Sequence, residues 1–127
     1  MPGVPEGRIT QFEALTAVAF DALATARPDV VVVEAGLGGR LDATNVLDAD
    51  VVALTSVDLD HTDLLGDTLG EIAGEKLAVA CDGHQQLVVG ALGTDAAREV
   101  RRLMAERGLA GWWVGQEITL ATGNHGV

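Results

Sequence analysis

Three groups of residues have the types and spacing for chemistry. The first runs from Glu34 to Asn45, EAGLGGRLDATN, and sets Glu34, Arg40, Asp42 and Asn45 around three glycines within twelve positions. Glycines let a backbone approach a ligand closely and take up positive φ. A tight connection between two strands would read the same way. The stretch is not a phosphate loop of the GxxxxGK[ST] type, because no lysine follows its glycines. Glu34 ends a run of four valines, where a carboxylate loses hydration unless a cation or hydrogen-bond donors compensate it. A metal ion or a salt bridge to Arg40 would each do so.

The second group, Asp58, Asp60, His61 and Asp63, offers three carboxylates and an imidazole within six residues. Such a set can ligate a divalent metal, and it can equally be a polar turn leading into a helix. Mg²⁺ favours oxygen ligands, which makes a histidine ligand unusual. The third group is a single residue, Lys76, the only lysine of the chain.

Positioning these groups requires regular elements. Apolar residues at Ile9, Phe12, Leu15, Val18, Ala19, Ala22 and Leu23 form one helical stripe, Thr10 and Glu13 have capping-box spacing, and Pro28 stops the helix. Val30 to Val33 reads as a strand buried on both faces, and Val51 to Thr55 repeats the signature, which implies a parallel sheet. Thr68 and Glu71 form a second possible capping box, opening a helix toward Cys81, and Leu87 to Gly90 is a further strand. Thr94 is expected to cap a helix that ends at Gly108, with short strands at Trp112 to Val114 and Glu117 to Leu120. Alternating strands and helices predict an α/β fold, in which ligands sit at the C-terminal ends of the strands, here just after Glu34 and after Thr55-Ser56.

The length allows one modest domain with one core, built from Val, Leu and Ala because only Phe12, Phe20, Trp112 and Trp113 are aromatic. A formal charge of −11 argues against a nucleic-acid surface, which needs clustered cations. Arg98, Arg101, Arg102 and Arg107 have spacings that suit a solvated helix face or, alternatively, a basic ligand patch. One cysteine excludes an internal disulfide and fits a reducing cytoplasm. No apolar run approaches the roughly 18 residues of a membrane span.

Taken together, EAGLGGRLDATN, the stretch TSVDLDHTD and the GEK at residues 74 to 76 resemble the ATPase-domain motifs of folylpolyglutamate/dihydrofolate synthases of the Mur ligase superfamily. Order and spacing agree, with 27 positions from Glu34 to His61 and 15 from His61 to Lys76. TQFEALTAVAF at residues 10 to 20 resembles the family's helix ahead of its first strand, and Leu87 to Gly115 resembles its following strand and helix, so the likeness covers nearly the whole chain. It implies part of a three-layer parallel sheet of the P-loop NTPase-like Mur ligase middle domain. By the same resemblance Glu34 and His61 are magnesium ligands, and Lys76 carries a carbamate that serves the metal, so that Lys76 and His61 are catalytic. Thr10, Gln11, Phe12, Glu13, Leu41, Asp42 and Ala43 fall at pteroate-binding positions. Phe12 and Glu13 have equally good structural roles, as core anchor and capping-box partner. Gln11 stands where an aromatic or apolar residue is common in the family, and Leu77-Ala78-Val79 replaces the usual Ala-Gly-Ile after the lysine.

The activity implied is ATP-dependent ligation of L-glutamate to dihydropteroate or tetrahydrofolate, with Mg²⁺ and ATP, by a cytoplasmic, monomeric parent enzyme that engages neither nucleic acid nor membrane. Nothing before Thr10 resembles the family's phosphate loop and nothing after Gly123 its C-terminal glutamate-binding domain. Residues 1 to 127 are accordingly expected to be part of the central ATPase domain, inactive alone. Another Mur-type amide ligase and a non-catalytic truncated scaffold are the alternatives.

Overall fold

The computed structural model describes residues 7–80 and 85–119. The chain forms two compact units, Met1–Asp48 and Ala49–Val127, where one domain with one core was expected.

The first unit holds helix α1, Gln11–Ala26. Thr10 and Glu13 close the expected capping box, satisfying backbone N–H groups that the first helical turn leaves open. The helix ends in a left-handed Arg27 directly before Pro28, whose ring disfavours helical geometry in its predecessor. The apolar stripe of α1 is largely solvent-facing in this unit: Ile9, Phe12, Leu15 and Val18 are exposed, and Thr16 is its one buried residue among those described.

Val30 to Val33 does not form the predicted strand. Its valines are exposed, Val32 at 92%. Strand preference reflects packing against cross-strand neighbours more than an intrinsic backbone state, and among the described residues the first unit has no second strand to pair with. The burial penalty expected for Glu34 falls away with it, since Glu34 is exposed as well.

The second unit is a parallel sheet in the order β1 (Val51–Leu54), β2 (Gln86–Val89) and β3 (Gly111–Trp113). Register pairs Val52 with Leu87 and Leu87 with Gly111. The β1-to-β2 crossover carries α2 (Thr62–Leu65) and α3 (Leu69–Lys76), and the β2-to-β3 crossover carries α4 (Thr94–Arg107). Burial alternates along the strands, with Val52, Leu54, Leu87, Val89 and Trp113 turned inward. One face is therefore core, whereas β1 was expected to be covered on both. Ile72, Leu77, Val100 and Met104 complete that core from the helices.

Thr68 and Glu71 cap α3 as expected. The cap of α4 is Gly93 rather than Thr94, which is already the first helical residue. Gly108 ends α4 in left-handed geometry. The expected strand at Glu117 to Leu120 is reduced to one bridge between Val114 and Ile118, with Leu120 outside the described residues, as is Cys81. Among the described residues no helix is long and apolar enough to cross a membrane.

At the C-terminal ends of β1 and β2 the backbones nearly touch. The Gly90 N–H donates to the Leu54 carbonyl at 2.8 Å, and a Cβ on Gly90 would lie 2.5 Å from the Thr55 carbonyl oxygen. Only glycine fits this crossing without moving the main chain.

Candidate functional site

The first unit brings the two halves of the expected pteroate set together. One half is the start of α1. The Glu13 carboxylate accepts from the Thr10 N–H at 2.7 Å and from the Thr10 hydroxyl at 2.8 Å, and the hydroxyl in turn accepts from the Glu13 N–H at 3.1 Å. The backbone bond and then the side-chain bond from Thr10 hold the Glu13 carboxyl below its usual range. Glu13 is thus the capping-box partner. Gln11 points to solvent.

The other half is the loop from Gly36 to Val46, ending in a 3₁₀ turn at Ala43–Val46. Asp42 organises it. One carboxylate oxygen, Oδ2, accepts from the Gly36 and Leu37 N–H groups at 2.9 and 3.0 Å. The other, Oδ1, accepts from the Thr44 N–H at 2.9 Å and the Thr44 hydroxyl at 2.6 Å. Partial burial pushes the Asp42 carboxyl upward, but these bonds from Thr44, Leu37 and Gly36 outweigh it and hold the group below its usual range. Asn45 adds a bond from Nδ2 to the Arg40 carbonyl at 3.1 Å. Leu41 is left 81% exposed beside the clamped carboxylate.

Gly36 joins the halves. A Cβ there would lie 2.7 Å from Phe12 Cζ and 3.2 Å from Asp42 Oδ2, so the Phe12 ring and the Asp42 carboxylate meet over a residue with no side chain. Phe12 is no core anchor: its ring is 45% exposed and rests on this loop. Leu37 and Thr44 were not singled out from the sequence, and Gly36 only as one of three loop glycines. An available signal was the Asp-x-Thr spacing of Asp42 and Thr44, typical of side chains that fold a turn onto themselves.

The second unit holds His61 and Lys76. His61 has left-handed backbone geometry, φ 51°, which is uncommon for a residue with a Cβ, and it opens α2. Its N–H donates to Asp60 Oδ1 at 2.8 Å, and its Nε2 lies 3.7 Å from Asp60 Oδ2. Asp58 accepts the Asp60 N–H through its carbonyl at 2.9 Å, and Asp63 lies in the first turn of α2. Lys76 is half-buried and is the last residue of α3. Among the described residues no three His, Cys, Asp or Glu side chains form a group able to hold a metal.

The arginines of α4 are engaged within the fold. Arg98 pairs with Asp95, Arg102 with Glu99 and Glu106, Arg107 donates to the Gly74 carbonyl, and Arg101 lies 3.8 Å from the centroid of Trp113. Arg98 and Arg102 are exposed, as on the solvated helix face expected. A cavity of about 390 Å³, lined by Gln86, Leu87, Leu109, Trp112 and Glu117, opens at the N-terminal ends of β2 and β3. That is the end of a parallel sheet opposite to where ligands usually bind.

No family model matches the chain. It is 45% identical over 101 residues to a dihydrofolate synthase/folylpolyglutamate synthase of Mycobacterium tuberculosis, covering 77% of this chain and 20% of that protein. The fold is similar to the apo form of folylpolyglutamate synthase (FPGS) from L. casei, with a TM-score of 0.75 and 37% identity over 85% of this chain and 26% of that one. It is similar also to an FPGS-AMPPCP-folate complex, with a TM-score of 0.76 and 38% identity over the same shares. The chain spans a quarter or less of the length of the curated relatives it matches. With its three motifs in order and its fold aligned to these structures, the chain belongs to the folylpolyglutamate/dihydrofolate synthase family and corresponds to part of its members' length.

Proposed function

We propose that these residues are part of the central ATPase domain of a ligase that joins L-glutamate to dihydropteroate or tetrahydrofolate. In that reaction a pteroate or folate carboxylate attacks the γ-phosphorus of ATP and releases ADP. The glutamate amine then attacks the acyl phosphate carbon, loses a proton and expels phosphate. The observation that carries the proposal is the convergence of Phe12 and Asp42, one from each segment expected to bind pteroate, on Gly36. An exposed aromatic ring beside a fixed polar loop suits a pterin ring, which is itself flat and edged with hydrogen-bonding groups. The names of the relatives and the folate complex among the structural neighbours support the same substrate class.

By the family resemblance, Glu34 and His61 are each proposed as magnesium ligands and Lys76 as a carbamate. Mg²⁺ is commonly held by one or two protein groups together with phosphate oxygens and water, so a sparse protein set suits an ion completed by nucleotide. When bound, the ion would offset charge on the transferring phosphoryl group. The left-handed backbone of His61, a conformation that costs about 1 kcal/mol or more, fits a residue held for its side-chain position. Lys76 ends α3, where the helix dipole favours a cation. A carbamate would reverse that charge at the negative helix end, so the modified form depends on a cation nearby. The parent enzyme is proposed to be cytoplasmic and monomeric, without nucleic-acid or membrane partners.

Titration of the purified chain with dihydropteroate tests the site: saturable binding that weakens in Phe12→Ala is expected, and no binding by the wild-type chain refutes it. The 127 residues contain no GxxxxGK[ST] sequence. By themselves they are expected to show no glutamate-dependent ATP hydrolysis, and measurable turnover would refute that assignment of roles.

A further inference from the structure

We propose that Thr44 is a positioning residue for pteroate binding, acting through the carboxylate of Asp42; the proposal rests on reading this loop as part of a pteroate site. A carboxylate offers about four acceptor positions. In Asp42 four protein donors share them, two on each oxygen. Thr44 supplies both donors on Oδ1, and its hydroxyl bond at 2.6 Å is the shortest of the four, within the range of strong O–H to carboxylate bonds.

The consequence is directional. With Oδ1 fixed by the backbone and side chain of one residue, the carboxylate plane is set and Oδ2 is aimed at the Gly36 and Leu37 N–H groups. That sets Gly36 against the Cζ and Cε2 edge of the Phe12 ring, with Leu41 and Ala43 as the chain neighbours of Asp42. Thr44 itself is half-buried behind the carboxylate, so its influence on a ligand passes through Asp42.

The test uses the 127-residue chain with Thr44→Val, which keeps shape and the backbone N–H but removes the hydroxyl, and Thr44→Ser, which keeps the hydroxyl. Dihydropteroate affinity is measured by calorimetry, and amide exchange at Gly36 and Leu37 by NMR. Thr44→Val is expected to weaken binding about five- to tenfold and to speed exchange of both amides, as loss of one bond with a net contribution of about 1 kcal/mol in this half-exposed setting implies. Thr44→Ser is expected to stay within about twofold of wild type in both. Unchanged affinity in Thr44→Val, or a loss that Thr44→Ser does not restore, overturns the proposal. If the wild-type chain binds no dihydropteroate, the pteroate reading fails, and the exchange data still decide the other half. Faster exchange in Thr44→Val alone upholds the hold of Thr44 on Asp42, and equal rates in all three overturn it.

Discussion

Replacing Asp42 by asparagine changes one oxygen into an NH₂ group at nearly constant shape. Asparagine can still accept from one pair of donors, but its amide nitrogen then faces the other pair. With Thr44 keeping the oxygen, the Gly36 and Leu37 N–H groups lose their acceptor, now 2.9 and 3.0 Å away. Each bond contributes about 1 kcal/mol in this half-exposed setting, so the loop should open more easily by about 2 kcal/mol, or roughly thirtyfold in its opening equilibrium. Amide exchange at Gly36 and Leu37 near neutral pH reads this directly. The sign of the pH dependence follows from the lowered pKa of Asp42. Its stabilisation is fully present above the unfolded value of about 4 and is lost as pH falls through the lower folded value. Protection in the wild-type chain should therefore decline only as pH falls below about 4, while Asp42→Asn should show low protection throughout. Equal protection of the two amides in both proteins at neutral pH would refute the clamp.

Two further outcomes concern the second unit. Ile72 is fully buried, so Ile72→Ala is expected to cost about 2–5 kcal/mol, measured as a lowered urea midpoint of the tryptophan signal. A loss under about 1 kcal/mol would show that α3 does not pack as described. Gly90→Ala would place a Cβ 2.5 Å from the Thr55 carbonyl oxygen, an atom of the main chain that cannot swing aside. About 1–3 kcal/mol of destabilisation should follow, and an unchanged midpoint would argue against the close crossing of β1 and β2.

Local signals were legible wherever a few neighbouring residues decide the outcome. Thr10 with Glu13 and Thr68 with Glu71 cap their helices as read, because a capping box is closed within four residues. Gly108 ends α4 for the same local reason, the freedom of glycine in left-handed geometry. The α/β class and parallel sheet were also legible from apolar runs alternating with helical periods. Thr94 shows the limit of such reading, since Gly93 takes the cap and shifts the boundary by one residue.

Long-range facts were not legible. The four valines from Val30 have strand composition, but a strand exists only with a partner for its N–H and C=O groups, and composition does not supply one. The arginines of α4 were read as a solvated helix face, but the partners that Arg107 and Arg101 find in the Gly74 carbonyl and the Trp113 indole depend on the tertiary fold. At the candidate site the sequence by itself determined the residue types: an aromatic at position 12, a glycine at 36, and an Asp-x-Thr turn at 42 to 44. Tertiary structure alone decided that these meet, because Phe12 and Gly36 stand 24 positions apart and only folding of the loop onto α1 brings the ring edge against the glycine. The missing Cβ is what makes room for that contact, and the Asp42 carboxylate holds it in place.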